Sequence, residues 1–125
     1  MFRIHFDNDR QLVSFHFSQH VVPQELEQEL GNVRNKMEKM TPGFRMLTDL
    51  SELTAMDPAC ASYVGQIMDI CKEKGIKRVV RVIPDPHKDI GFTLMSRFHY
   101  GDEVAVQTCE TLQEALESLD AEFEA

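Results

Sequence analysis

The chain has 125 residues and a formal net charge of −8. A length of this order supports one domain, spanning residues 1–125, that buries roughly two-thirds of its unfolded surface. The acidic balance disfavours nucleic acid as a partner, since phosphate backbones need a basic face, and no apolar run is long enough to span a membrane.

The charge is unevenly placed. Through Arg97 the chain carries 13 acids and 13 bases; beyond it lie eight acids and no Lys or Arg. The surplus therefore belongs to the C-terminal strand and helix, as a solvated face or as a docking surface for a basic partner. Cys60, Cys71 and Cys109 fit no metal or redox spacing and read as buried free thiols of a reducing cytoplasm. The first residues, MFRIHFDND, lack the apolar core of a signal peptide. A cytoplasmic location is the expectation.

Met1–Phe17 reads as a β-hairpin. Phe2, Ile4 and Phe6 alternate with polar residues, as do Val13, Phe15 and Phe17. A two-residue turn at Asn8-Asp9 sets Ile4 opposite Val13 and Phe2 opposite Phe15, which puts both apolar sets on one side. His5 and His16 then lie on the other side, too far apart for a shared metal, and read as surface residues. Ser18–Val22 follows as a connector. Pro23 opens a helix to about Met40, with Leu26, Leu30, Val33, Met37 and Met40 as its apolar stripe. Thr41-Pro42-Gly43 stops it.

Phe44–Leu50 is mostly large and apolar and suits a strand covered on both faces. Ser51–Met56 reads as a polar loop. Asp57-Pro58 starts a helix: the Asp carboxylate can cap free N–H groups, and proline at the first position wastes none. Cys60, Val64, Ile67, Met68 and Cys71 recur at helical spacing, and Gly75 can take the left-handed closing position. The β-branched run Ile76–Pro84 predicts an interior strand. A charge amid such a run needs a partner, so Arg81 is expected to pair with Asp49 on the preceding strand.

Pro84–Asp89 is a stiff polar loop carrying Asp85 and His87, the latter a candidate acid or base. Asp89–Tyr100 predicts a helix ended by Gly101. Ile90, Leu94 and Phe98 form its stripe, while Phe92 and Met95 point elsewhere, a surplus of apolar surface that suits either a partner patch or deeper burial. Glu103–Cys109 is the last strand. Thr111 and Glu114 form a capping box for a final helix striped by Leu112, Ala115, Leu116, Leu119 and Phe123.

The segment Leu47–Asp57, LTDLSELTAMD, resembles the strand-loop-helix centre of STAS domains, the family of the SpoIIAA-like anti-sigma-factor antagonists. Asp49, Ser51 and Asp57 match its pattern. The resemblance implies a serine at the next helix start that a partner kinase phosphorylates. Here that position holds Pro58, which accepts no phosphoryl group, followed by Ala59 and Cys60.

The element order ββαβαβαβα predicts an α/β fold of SpoIIAA-like type. Its sheet is mixed, mostly parallel and five-stranded, with an N-terminal hairpin, right-handed crossovers and four packed helices. No phosphate-binding glycine loop, zinc signature or nucleophile constellation is present, and no cofactor is implied. The first functional expectation is a non-enzymatic, STAS-like regulatory or interaction module. Its working edge comprises Asp49, Ser51, Asp57, Cys60, Asp85, His87, Phe92 and Met95, and its partner is a regulatory or kinase-like protein or a second copy of the chain. The alternative is a carrier of a small molecule or lipid. The third is an enzyme using Asp57, Asp85 and His87.

Overall fold

Alternating apolar residues build a hairpin whose strands continue into a parallel sheet. The computed structural model describes residues 1–85, 99–101 and 103–124, with side chains through Asp120. The strands are β1 (Phe2–Asp7), β2 (Leu12–Val21), β3 (Arg45–Met56), β4 (Arg78–Val82) and β5 (Ala105–Cys109). They lie side by side in chain order, β1 antiparallel to β2 and every later neighbour parallel. The helices are α1 (Pro23–Met37), α2 (Cys60–Glu73) and α3 (Leu112–Glu124). The helix expected over 89–100 lies outside the described residues except at its end, where His99 and Tyr100 are helical.

The hairpin differs from its expected register. Phe2 faces Phe17, Ile4 faces Phe15 and Asp7 faces Leu12, so the loop has four residues rather than two. A slip of two positions preserves which side each residue takes, so the apolar faces still coincide. The loop supplies the reason: Arg10 donates its N–H to Asp7 Oδ1 at 3.1 Å, and Gln11 turns the chain at φ 50°. Gln11 then ties the loop to the end of α1, accepting from the Thr41 N–H at 2.7 Å and donating to Asn8 O at 2.7 Å.

Both long strands also outrun expectation. Ser18–Val21 is strand, not connector, and Ser51–Met56 is strand, not loop. β3 accommodates an extra residue between His16 and Ser18, and another between Gln19 and His20 of β2, where Gln19 sits at φ 57°. These bulges break the two-residue alternation that marks a strand. Pairing of β3 with β4 ends at Asp49 and Val82, so the outer parts of β2 and β3 project beyond β4 as a two-stranded ribbon.

One face of the sheet carries Phe2, Val13, Phe15, Phe17, Met46 and Val79, packed with Leu26, Val33 and Met37 of α1 and Val64, Ile67, Met68 and Cys71 of α2. The other face carries Leu12, Leu47, Val80, Val82 and Cys109 under Ala115 and Leu119 of α3. Leu116, expected in that stripe, is 41% exposed. Arg45 bolts the second face together from within: its guanidinium donates to Leu119 O at 2.8 Å and to Arg10 O at 3.2 Å.

Parity also corrects the expected Asp49–Arg81 pair. Arg81 stands beside Thr48, while Asp49 stands beside Val82. Adjacent positions on a strand point to opposite faces, so the two charges are separated by the sheet. Near α2, Gly65 leaves room for the His99 ring: a Cβ there would lie 2.7 Å from His99 Nε2, so the ring would have to move. The imidazole thus crosses the helix and bonds Asp69 through Nδ1 at 2.7 Å. This contact holds the end of the 99–101 segment on α2.

Candidate interaction site

The carboxyl ends of β2 and β3 and the start of α2 form one rim. Asp57 marks the point where the ribbon turns into the helix, its N–H donating to Val21 O at 3.2 Å. Its carboxylate does not cap α2, which has no side-chain cap. The first turn closes on main-chain carbonyls instead, Cys60 N–H on Asp57 O at 2.9 Å and Ala61 N–H on Pro58 O at 3.1 Å. The freed Asp57 carboxylate reaches back across the ribbon to His20 Nε2 at 2.6 Å. Pro58, Ala59, Ala61 and Ser62 are exposed.

A second pair lies deeper on the ribbon. His16 is in register with Asp49, and His16 Nδ1 is 3.1 Å from Asp49 Oδ2. The other carboxylate oxygen accepts the Ser51 N–H at 2.9 Å, which braces the point where β3 leaves β4. His16 is therefore a half-buried, bonded residue and not a bare surface histidine. Sequence reasoning missed both pairings. The signal was positional, two histidines on one strand, one aspartate on its neighbour and another just past that neighbour's end, and it becomes readable once the register is known.

Ser51 and Asp85 line one cleft of ≈70 Å³ with Leu50, Leu53, Ile83 and Pro84. Asp49 and Glu52 line a larger open groove of ≈310 Å³ on the α3 side, together with Arg3, His16, Ser18 and Leu112. Cys60 does not reach the surface: its thiol is buried and donates to Val21 O at 3.6 Å, shaping the rim from beneath. His87, Phe92 and Met95 lie outside the described residues. Among the described residues no three metal-ligating side chains converge.

The three thiols have one further property. Burial pushes all of them above the ordinary thiol range, Cys71 furthest, with Asp57 adding to the effect at Cys60 and Glu114 at Cys109. Only the thiolate is nucleophilic, so a raised pKa leaves little of it near pH 8. The native protein is expected to take no iodoacetamide at pH 8 over a period in which the denatured chain takes three equivalents. Mass spectrometry reads the difference, and rapid single labelling of the native state would show one thiol to be accessible.

This architecture is the SpoIIAA-like fold, a mixed five-stranded sheet with helices on both faces. An uncharacterised protein of the DUF3478 family from Shewanella loihica PV-4 superposes with a TM-score of 0.67 at 17% identity, over 95% of this chain and 92% of that one. The anti-sigma factor antagonist SpoIIAA in its unphosphorylated form gives 0.61 at 17% identity, over 96% and 98%. The Bacillus cell fate determinant SpoIIAA in its phosphorylated form gives 0.63 at 16% identity, over 95% and 99%. No family model and no curated protein matches the sequence. Among the described residues no helix is long and apolar enough to cross a membrane.

Proposed function

We propose that the chain is a non-enzymatic, STAS-like interaction module that binds a regulatory or kinase-like protein through the rim at Asp57. The observation that carries this reading is the start of α2: it is exposed, it follows directly from β3, and it presents Pro58 where the resemblance implies a phosphorylatable serine. Asp49 and Asp57 each hold a histidine across the ribbon, which rigidifies the surface around that start. A rigid surface loses less entropy on binding than a mobile one. Asp49, Ser51, Asp57 and Asp85 shape the rim, with Cys60 beneath it. Without a hydroxyl at position 58 the module binds constitutively, and its partner is not released by phosphorylation there.

The carrier alternative has uneven support. The apolar pocket between the sheet and α2, lined by Phe15, Met46, Ile67, Met68 and Tyr100 among others, measures ≈30 Å³. That is room for water, while ligand pockets run to about 300–1,000 Å³. Among the described residues, the open groove at Asp49 and Glu52, with ≈310 Å³, reaches ligand size. It favours a small polar molecule over a lipid.

Ala59→Arg and Ser62→Arg, both at exposed positions, test the rim. In pull-downs from the native lysate, read by mass spectrometry, each variant is expected to lose at least 90% of a partner that the unaltered chain retains. Full retention by both folded variants would remove the rim as the contact. Incubation with lysate and ATP is expected to place no phosphate on Ser51 or Ser62. Phosphate at either would show that the switch has moved rather than vanished.

A further inference from the structure

The sheet has two edges, and they are defended differently. Along β1 the chain places Arg3 and Asp7, charges that discourage a further strand from pairing. Along β5 the residues are Ala105, Val106, Gln107, Thr108 and Cys109, with no charge, no proline and no register shift in the ladder to β4. The first four are exposed, and Val106 is an apolar residue with 38% of its surface in solvent.

The hydrogen-bond pattern identifies which groups face outward. Ala105 donates its N–H to Lys77 O at 3.2 Å, and Cys109 O accepts from the Ile83 N–H at 2.9 Å. In a parallel ladder alternate residues of a strand bond the same neighbour. Ala105, Gln107 and Cys109 therefore turn their main-chain groups toward β4. Val106 and Thr108 turn theirs the other way, and among the described residues no strand pairs beyond β5. Two N–H and two C=O groups are thus presented together at a regular spacing. This is the arrangement that accepts an added strand.

The charge around this edge selects the occupant. Exposed Glu103 and Glu110 flank β5 at its two ends, and exposed Glu114 follows in the first turn of α3. Of the bases beside β5, Arg78 is held by Gln107 and by Ser118 Oγ, and exposed Lys77 lies at the start of the strand, where its carbonyl accepts the Ala105 N–H. A second copy of the chain would bring the same acids against these. An extended segment with uncharged residues at its centre and Lys or Arg at both ends fits instead.

We propose that the β5 edge is a docking site for such a basic segment of a partner protein, added as a sixth strand. Val106 and Thr108 supply the main-chain bonds, and Glu103, Glu110 and Glu114 supply the charge selection. This site is separate from the rim at Asp57, and the proposal does not depend on the function assigned to that rim.

The probe is a nine-residue peptide of alternating Val and Thr with two Lys at each end, compared with the same peptide carrying Glu at the ends. The Lys peptide is expected to bind with a dissociation constant at least tenfold lower than the Glu peptide. It is expected to slow hydrogen exchange at the amides of Val106 and Thr108. Thr108→Pro deletes one outward N–H without touching a bond to β4, and Val106→Lys adds a repelling charge at an exposed position. Each should weaken binding at least tenfold with unchanged circular dichroism. Should one variant fail to fold, the other and the exchange pattern decide alone. Equal affinity for the two peptides, undiminished binding by a folded variant, or protection confined to other strands would each overturn the proposal. So would concentration-dependent protection of Val106 and Thr108 without peptide, since it would make a second copy the occupant.

Discussion

Phe44→Ala is expected to destabilise the protein by about 3–5 kcal/mol, the range for truncating a fully buried aromatic. Phe44 has no exposed surface and sits between Gly43 and β3, in the cluster that joins the sheet to α1 and α2. Its carbonyl accepts the Lys77 N–H at 3.0 Å, which fixes the start of β3 against the start of β4. The same edge is stitched by Gly43 N–H donating to Gly75 O at 2.7 Å. Collapse into the vacated space would break these bonds, so relaxation is limited and the loss belongs at the upper end. A domain with total stability of about 5–15 kcal/mol then becomes marginal. Urea unfolding should show a large fall in midpoint with little change in slope. A loss below about 1 kcal/mol would mean that the site can close up freely.

Leu119→Ala is expected to cost about 2–5 kcal/mol and to act on a different part of the molecule. Leu119 is 1% exposed and belongs to the smaller cluster on the α3 side, which among the described residues contains few large side chains. Few contacts replace it, so α3 should open locally before the sheet does. Amide exchange is the deciding measurement: protection should fall in α3 and remain in α2. Equal loss in both helices would show that the two cores unfold as one unit.

The helices were legible because their signals are local. Pro23 and the spacing of Leu26, Val33 and Met37 set α1, and Cys60 to Cys71 set α2, each within a few turns of chain. The four-residue hairpin loop was not legible, because Arg10 and Gln11 carry no glycine to announce the positive φ at Gln11. The outer ribbon was read as loop for a related reason. Ser51, Glu52, Thr54 and Ala55 are exposed, so no buried face imposes an alternation there, and only Leu53 is buried. The candidate site was legible as a place on the chain but not as a set of contacts. Asp57 looked like a cap because caps are local; its bond to His20 spans 37 positions and depends on two bulges. The Asp49–Arg81 idea failed on parity, since strand proximity alone does not determine which face a side chain takes.

The spatial order of the strands repeats the order in which they are made. No later strand has to be inserted between two earlier ones, so a growing chain can add each to an edge that already exists. Synthesis at about 5–20 residues per second is slow beside hairpin formation, which takes about 1–10 μs. The nascent polypeptide can therefore assemble from its amino end while the ribosome is still translating the remainder. The rim residues up to Cys60 come together without waiting for α3, which is made after them.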